Sequence, residues 1–189
     1  MSSILFYLGL LSFSFASPSQ PSKTIDKLGP VEVSKEFPTF GTYDLSGNYI
    51  SFKSLQKQNK VMVVSYFATW CKPCRIGLPI IEKVAQNDPN TVAVYIDLGE
   101  EPATVKQMAK ELGLNSTIMI DKFQSIGTRH GVVIEGEDVV LPRTFVLAPD
   151  GTVKVIFTEE GEDFEGALLN AITLASGQAP AQPAPSDKE

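Results

Sequence analysis

The apolar run Val61-Met62-Val63-Val64-Ser65-Tyr66-Phe67 stops two residues short of Trp70-Cys71-Lys72-Pro73-Cys74, which holds the only two cysteines of the 189-residue chain. A nearly continuous apolar run of that length reads as a strand buried on both faces. A Cys-x-x-Cys pair just beyond it reads as a dithiol that opens a helix. Only the thiolate attacks a disulfide, and a helix N-terminus stabilises that anion through its unpaired N–H groups and dipole. Cys71 then sits at the helix start as the attacking thiol. Cys74, one turn further on, resolves the mixed disulfide. Pro73 removes an N–H that has no partner in a first turn. Lys72 and Arg75 add positive charge that favours the thiolate.

Three other uses of the pair stay open on residue types alone. A structural zinc takes four protein ligands, against the two cysteines and single histidine, His130, of this chain. A structural disulfide here closes a very short loop, where the chain-entropy model gives the least stabilisation. Two soft thiolates with His130 as a third ligand would suit a copper-binding or copper-delivery protein.

Around the pair, strands and helices alternate. Phe40–Leu45 and Tyr49–Phe52 flank the turn Ser46-Gly47-Asn48. The active-site helix runs from Cys71 to about Gln86 with Ile76, Ile80 and Val84 on one face, and Asn87-Asp88-Pro89-Asn90 stops it. A strand over Thr91–Ile96, a helix over Pro102–Leu112, a strand over Thr117–Ile120 and a helix over Phe123–His130 follow. A hairpin, Arg143–Leu147 and Val153–Phe157, turns at Pro149-Asp150-Gly151, and the last helix covers Asp163–Leu174. This order predicts an α/β domain, a central mixed sheet with helices on both faces.

Phe67-Ala68-Thr69-Trp70-Cys71-Lys72-Pro73-Cys74-Arg75, with Pro79 five residues after Cys74, resembles the active site of thioredoxin-like proteins, above all the extracytoplasmic TlpA/ResA-type thiol:disulfide oxidoreductases. Leu141-Pro142-Arg143-Thr144-Phe145 resembles that family's cis-proline strand. Phe37–Leu55 resembles its added N-terminal β-hairpin, and the segment from Gly113 to His130 its central β/α insertion. The resemblance implies a thioredoxin-like fold over residues 37–175, needing no cofactor and no metal. It also implies a substrate groove in which Trp70 offers an apolar contact, the backbone of Leu141 before a cis Pro142 pairs with an incoming peptide, and Arg143 holds a substrate carbonyl or biases the Cys71 thiolate. Family behaviour favours net reduction of disulfides in exported proteins, the haem-attachment cysteines of apocytochrome c among them, with electrons from a membrane thiol donor.

Three departures from the resemblance stand out, and one mismatch separates the chain from a thiol peroxidase. The buried acid that thioredoxins carry six residues before the first cysteine is Ser65 here, and its lysine partner falls at Ala93. The Glu that TlpA/ResA-like proteins often carry three residues after the second cysteine is Gly77. No base for Cys74 is therefore identifiable, and a buried thiol without one has a raised pKa. The segment Val133–Val140, with Glu135, Glu137 and Asp138, lengthens the approach to Pro142, either as an acidic selector of basic partners or as a solvated turn. Peroxiredoxins place Pro and Thr seven and three residues before the reactive cysteine, where Cys71 is preceded by Val64 and Ala68.

Ile4–Phe15 is apolar but short for a bilayer span, and Ser14-Phe15-Ala16 suits signal-peptidase cleavage after Ala16, although no Lys or Arg precedes it. An uncleaved anchor is the alternative. Residues 1–16 are thus expected to be a signal peptide, 17–36 a linker and 176–189 a disordered Pro/Ala-rich tail. The mature protein is expected in the periplasm or an equivalent extracytoplasmic space, without a stable membrane span. A net charge of −6 with no basic run argues against nucleic acid.

Overall fold

Seven consecutive buried residues make Val61–Phe67 the spine of a six-stranded sheet. The computed structural model describes residues 31–134, 139–161 and 163–178. The proposed signal peptide, the first part of the linker and nearly all of the tail lie outside them. In chain order the elements are β1 (Val31–Glu36), β2 (Gly41–Tyr43), β3 (Tyr49–Ser51), α1 (Phe52–Gln56), β4 (Val61–Phe67), α2 (Lys72–Asn87), β5 (Thr91–Asp97), α3 (Pro102–Leu112), β6 (Thr117–Ile120), α4 (Ser125–Arg129), β7 (Arg143–Leu147), β8 (Thr152–Phe157) and α5 (Phe164–Ala175).

The strand order is β1-β8-β7-β4-β5-β6. β4, β5 and β6 run parallel, and β7, β8 and β1 extend the sheet antiparallel. Because successive side chains of a strand point to opposite faces, β4 feeds two cores. Val61, Val63 and Phe67 pack with Cys71, Cys74, Leu78, Ile81 and the apolar sides of α3 and α5. Met62, Val64 and Tyr66 pack with Phe37, Phe40, Phe52 and Ile126 on the other face. A central mixed sheet with helices on both faces is therefore what the alternating pattern builds. Among the described residues no helix is long and apolar enough to cross a membrane.

Several boundaries move, each for a local reason. The stretch read as linker up to Glu36 ends in β1, whose backbone pairs with the outer edge of β8 from Val31↔Ile156 to Glu36↔Thr152. An open sheet edge otherwise leaves a row of N–H and C=O groups unpaired. Ser51 and Ser54 form a reciprocal capping box that starts the unforeseen α1. The N-terminal hairpin is shorter than expected, with Gly47 at φ 83° in its turn. The face expected over Ile76, Ile80 and Val84 is rotated. The buried line of α2 is Cys74, Gly77, Leu78, Ile81, Glu82 and Val84, while Ile76 is 62% exposed. Phe123 precedes α4 and is 82% exposed. Of the acidic insertion, residues 135–138 lie outside the described residues. Its base is closed by a Val133↔Val139 bridge.

Candidate active site

Cys71 is the N-cap of α2, and the Cys74 N–H donates to its Sγ at 3.3 Å. That is the geometry in which a helix start stabilises a thiolate. Lys72 and Pro73 occupy the first turn, so the proline stands where no intrahelical acceptor exists for an N–H. The two sulfurs are joined in a disulfide. Cys71 keeps 4% of its surface and Cys74 only 1%, so any partner must reach the pair through Cys71.

The same end of the sheet carries the other expected groove residues. β7 begins with Arg143 opposite Tyr66 in β4. Pro142 and Leu141 therefore lie just beyond the C-terminal end of β4, from which the chain turns to Trp70 and Cys71. The Leu141–Pro142 peptide is cis. Leu141 is half-buried, and the Arg143 Nε is buried with no hydrogen-bond partner among the described residues. Trp70 is 64% exposed, and with the exposed Ile76 it offers apolar surface next to the disulfide.

Beneath the disulfide the two vacancies of the sequence meet a residue that sequence reasoning missed. Ser65 faces the cysteine side of the sheet, and its Oγ lies 2.8 Å from Thr144 Oγ1. Thr144 in turn donates to Glu160 Oε1 at 2.8 Å. One hydroxyl proton cannot serve both contacts at once. When Glu160 is ionised and takes the Thr144 proton, Ser65 must supply its own to Thr144. Glu160 is 5% exposed, and its Oε2 is buried with no hydrogen-bond partner among the described residues. A Cβ placed on Gly77 would lie 1.8 Å from that oxygen, so only glycine leaves the carboxyl room. Burial pushes the Glu160 pKa up to about 7, against a smaller lowering by Thr144. A loop residue after the last strand has no periodic pattern to announce it. The glycine at position 77 was the signal that something else fills that space.

A pair of carboxyls, Asp97 and Glu100, braces the approach loop. Glu100 accepts from the Thr69 N–H, and from its hydroxyl at 2.6 Å. Asp97, at the end of β5, accepts the N–H groups of Gly99 and Glu100 at 3.0 and 2.7 Å. Burial first, then the adjacent Glu100, raises Asp97 to about 7. Glu82 is fully engaged, taking the Tyr95 hydroxyl and the N–H groups of Asn115 and Ser116.

His130 belongs to the opposite side of the sheet. Its ring packs on Phe37 and Phe40, Nδ1 bonds the Tyr66 hydroxyl, and Nε2 lies 2.9 Å from the Pro38 carbonyl. A carbonyl only accepts, so Nε2 carries the proton and Nδ1 accepts from Tyr66. Burial holds its pKa down at about 4. With both nitrogens engaged and the sheet between, His130 is not a ligand beside the cysteine pair.

The sequence profile of the AhpC/TSA family matches residues 33–156. The chain is 30% identical over 142 residues to the thiol-disulfide oxidoreductase ResA of Bacillus thuringiensis, a match covering 73% of this chain and 78% of the relative. Among solved structures, a thioredoxin family thiol:disulfide interchange protein from Chlorobium tepidum superposes with a TM-score of 0.63 at 24% identity, over 76% of this chain and 97% of that one. A secreted thiol-disulfide isomerase from Corynebacterium glutamicum gives 0.65 at 22%, over 87% and 98%.

Proposed function

The chain belongs to the AhpC/TSA family and has the thioredoxin-like fold of a thiol:disulfide oxidoreductase, and from that premise we propose that it works outside the cytoplasm as a reductase of protein disulfides. The observation that carries the exchange chemistry is the Cys71–Cys74 disulfide at the N-terminus of α2, with the sulfur of Cys71 facing the Cys74 N–H. In the reductive direction the Cys71 thiolate attacks one sulfur of a substrate disulfide, and the other leaves as a thiolate. Cys74 then loses its proton and attacks Cys71 Sγ. This releases the second substrate thiol and leaves the internal disulfide. Two electrons reach the substrate, and a dithiol donor, in this reading a membrane thiol carrier, returns them to Cys71–Cys74.

Export is supported by the apolar segment ending at Ala16 and by the secreted neighbour from Corynebacterium. In this reading residues 1–16 are removed on export. Apocytochrome c, with its closely spaced haem-attachment cysteines, is one substrate of the right chemistry. Peptide binding along Leu141, beside Trp70 and Arg143, supplies the groove. Although the family name covers peroxidases, Val64 and Ala68 stand where peroxiredoxins place Pro and Thr, which leaves the peroxidase reading without support.

Cys74→Ser tests the reading. It should accumulate a mixed disulfide through Cys71 with an exported protein, and mass spectrometry names the partner. Cross-links through other residues only would count against exchange. An alkylation-based redox titration should place the pair at or below about −250 mV, whereas a value near about −120 mV, as for a strong oxidant, overturns the reductive direction. Trp70→Ala should raise KM for a protein disulfide several-fold while changing urea stability by less than about 0.5 kcal/mol, as expected for an exposed side chain. An unchanged KM removes Trp70 from the groove.

A further inference from the structure

We propose that Glu160 is the proton acceptor for Cys74, delivered from the loop after β8 into the space that Gly77 leaves open. The inference rests on the exchange reading above. It answers a need that reading creates. Cys74 is almost completely buried, and a thiol taken out of water without a base is slow to ionise.

Three observations converge on this residue. The first is placement. Gly77 follows Cys74 by one helical turn, and β-carbons at that spacing sit about 5–6 Å apart. Glu160 Oε2 lies 1.8 Å, and its Cδ 2.3 Å, from where a Gly77 Cβ would be. The carboxyl thus occupies the root of the side chain that Gly77 lacks, one helical turn from Cys74 on the same buried line of α2. The second is the open valence. Oε1 is used by Thr144, while Oε2 is buried and unpartnered among the described residues. The third is continuity. Through Thr144 the carboxyl reaches Ser65, the position where a buried acid was missed. One carboxyl therefore serves both vacancies from a third position.

The charged and titratable groups around it do not pre-empt this role. From α2, Glu82 is saturated by Tyr95, Asn115 and Ser116, and Lys83 pairs with Glu165 of α5 at 2.8 Å. From β5, Tyr95 has its hydroxyl proton on Glu82, and burial raises its pKa. Asp97, on the same face, caps its own loop through Oδ1, and its Oδ2 is likewise unpartnered among the described residues, so Asp97→Asn is the control. From β7, Arg143 alternates to the face opposite Thr144. α5 presents Phe164 and Leu168 to this core. With no cation acting on it among the described residues, desolvation holds the Glu160 pKa near neutrality, where a base both accepts and returns a proton.

In the step assigned to it, ionised Glu160 takes the Cys74 proton as the Cys74 sulfur attacks Cys71 Sγ. The mixed S–S bond breaks, and the substrate sulfur leaves as a thiolate. On re-reduction by a dithiol the proton returns to Cys74.

The test is rapid-quench kinetics of the full domain with a disulfide-bearing peptide, following the mixed disulfide on Cys71 across pH 5–9. Glu160→Gln keeps the volume and an acceptor for Thr144 but takes no proton. It should slow resolution about a hundredfold and erase the inflection near pH 7. The rate of the first attack, read in Cys74→Ser with and without Glu160→Gln, should stay unchanged. An unaltered resolution rate and pH profile overturns the proposal, as does equal slowing of both steps, or loss of the inflection in Asp97→Asn instead. Wild-type protein gives a readout independent of how the variant folds. The Glu160 carboxyl carbon resonance should titrate near pH 7 in the disulfide form and shift its midpoint by at least half a pH unit on reduction. An identical midpoint in both states overturns the proposal. If no mixed disulfide forms with Glu160 intact, the exchange reading itself fails. If it forms and resolves normally in Glu160→Gln, only the role of Glu160 does.

Discussion

Cys71→Ser is expected to abolish disulfide exchange, lowering turnover of a protein disulfide in the presence of a dithiol donor by at least about a thousandfold. The reason is positional. Cys71 sits at the N-cap of α2 with the Cys74 N–H on its sulfur, so its anion is stabilised where a substrate can reach it. Cys74 carries the same chemistry but only 1% exposure, and it cannot approach a substrate disulfide without opening the helix. The converse variant, Cys74→Ser, keeps the first step and loses the second. Both variants lose the internal disulfide. For so short a closed loop the chain-entropy model puts that loss at about 2 kcal/mol, small enough that each should remain folded and the activity loss can be read as chemistry. Circular dichroism establishes the fold, and turnover by Cys71→Ser above about 1% of wild type would show Cys74 acting as a nucleophile in its own right, sinking the assignment.

What made the dithiol legible was its surroundings. A nearly continuous seven-residue apolar run reads as a strand buried on both faces, and a Cys-x-x-Cys after it has few other places to sit. The same logic read β6, β7 and α3 to their ends, because short apolar runs and the Pro102 and Gly113 boundaries leave little freedom. The reading failed where structure comes from partners. β1 exists because β8 offers it an edge. On α2 the Ile76-Ile80-Val84 spacing is a valid helical face, yet the sheet selects the neighbouring one, because Cys74 and Leu78 must face the core and Ile76 is left in solvent. The missing acids were a correct reading of Ser65 and Gly77, but the residue that stands in for them lies far off in sequence. Glu160 reaches this place only because β7 pairs with β4 in a register that puts Thr144 opposite Ser65. A local pattern cannot encode that meeting. The same distance hid His130, which in sequence is a lone histidine and in the structure is the polar centre of the second core.

That histidine carries the largest stability effect expected here. His130→Ala should destabilise the oxidised protein by about 2–3 kcal/mol at pH 8, through a buried Tyr66 hydroxyl left without its acceptor and lost packing on Phe37 and Phe40. The penalty should shrink as the pH falls. The folded-state pKa of His130 is depressed to about 4 from 6.5. The unfolded chain therefore binds a proton that the folded one refuses across that window. The stability His130 contributes is fully present above pH 6.5 and is lost as the pH falls through 6.5 towards 4. The ring is not fully buried, so the change is about 2 kcal/mol, less than the whole shift would give at 1.36 kcal/mol per unit. Glu160 and Asp97 act in the opposite sense. With folded-state pKa values raised to about 7, their protonated forms favour the fold at low pH, and that contribution is lost as the pH rises through 7. The wild-type curve alone therefore mixes rising and falling terms, whereas the difference between wild type and His130→Ala isolates the histidine. Glu160 lies across the sheet from it, and the hydrogen bonds of Asp97 run to its own loop. Urea unfolding of both proteins at pH 8, 6.5 and 5 should show the gap between them narrowing steadily towards acid. A gap constant across that range would mean His130 is protonated alike in both states, and the neutral ring held between Tyr66 and Pro38 would have to be given up.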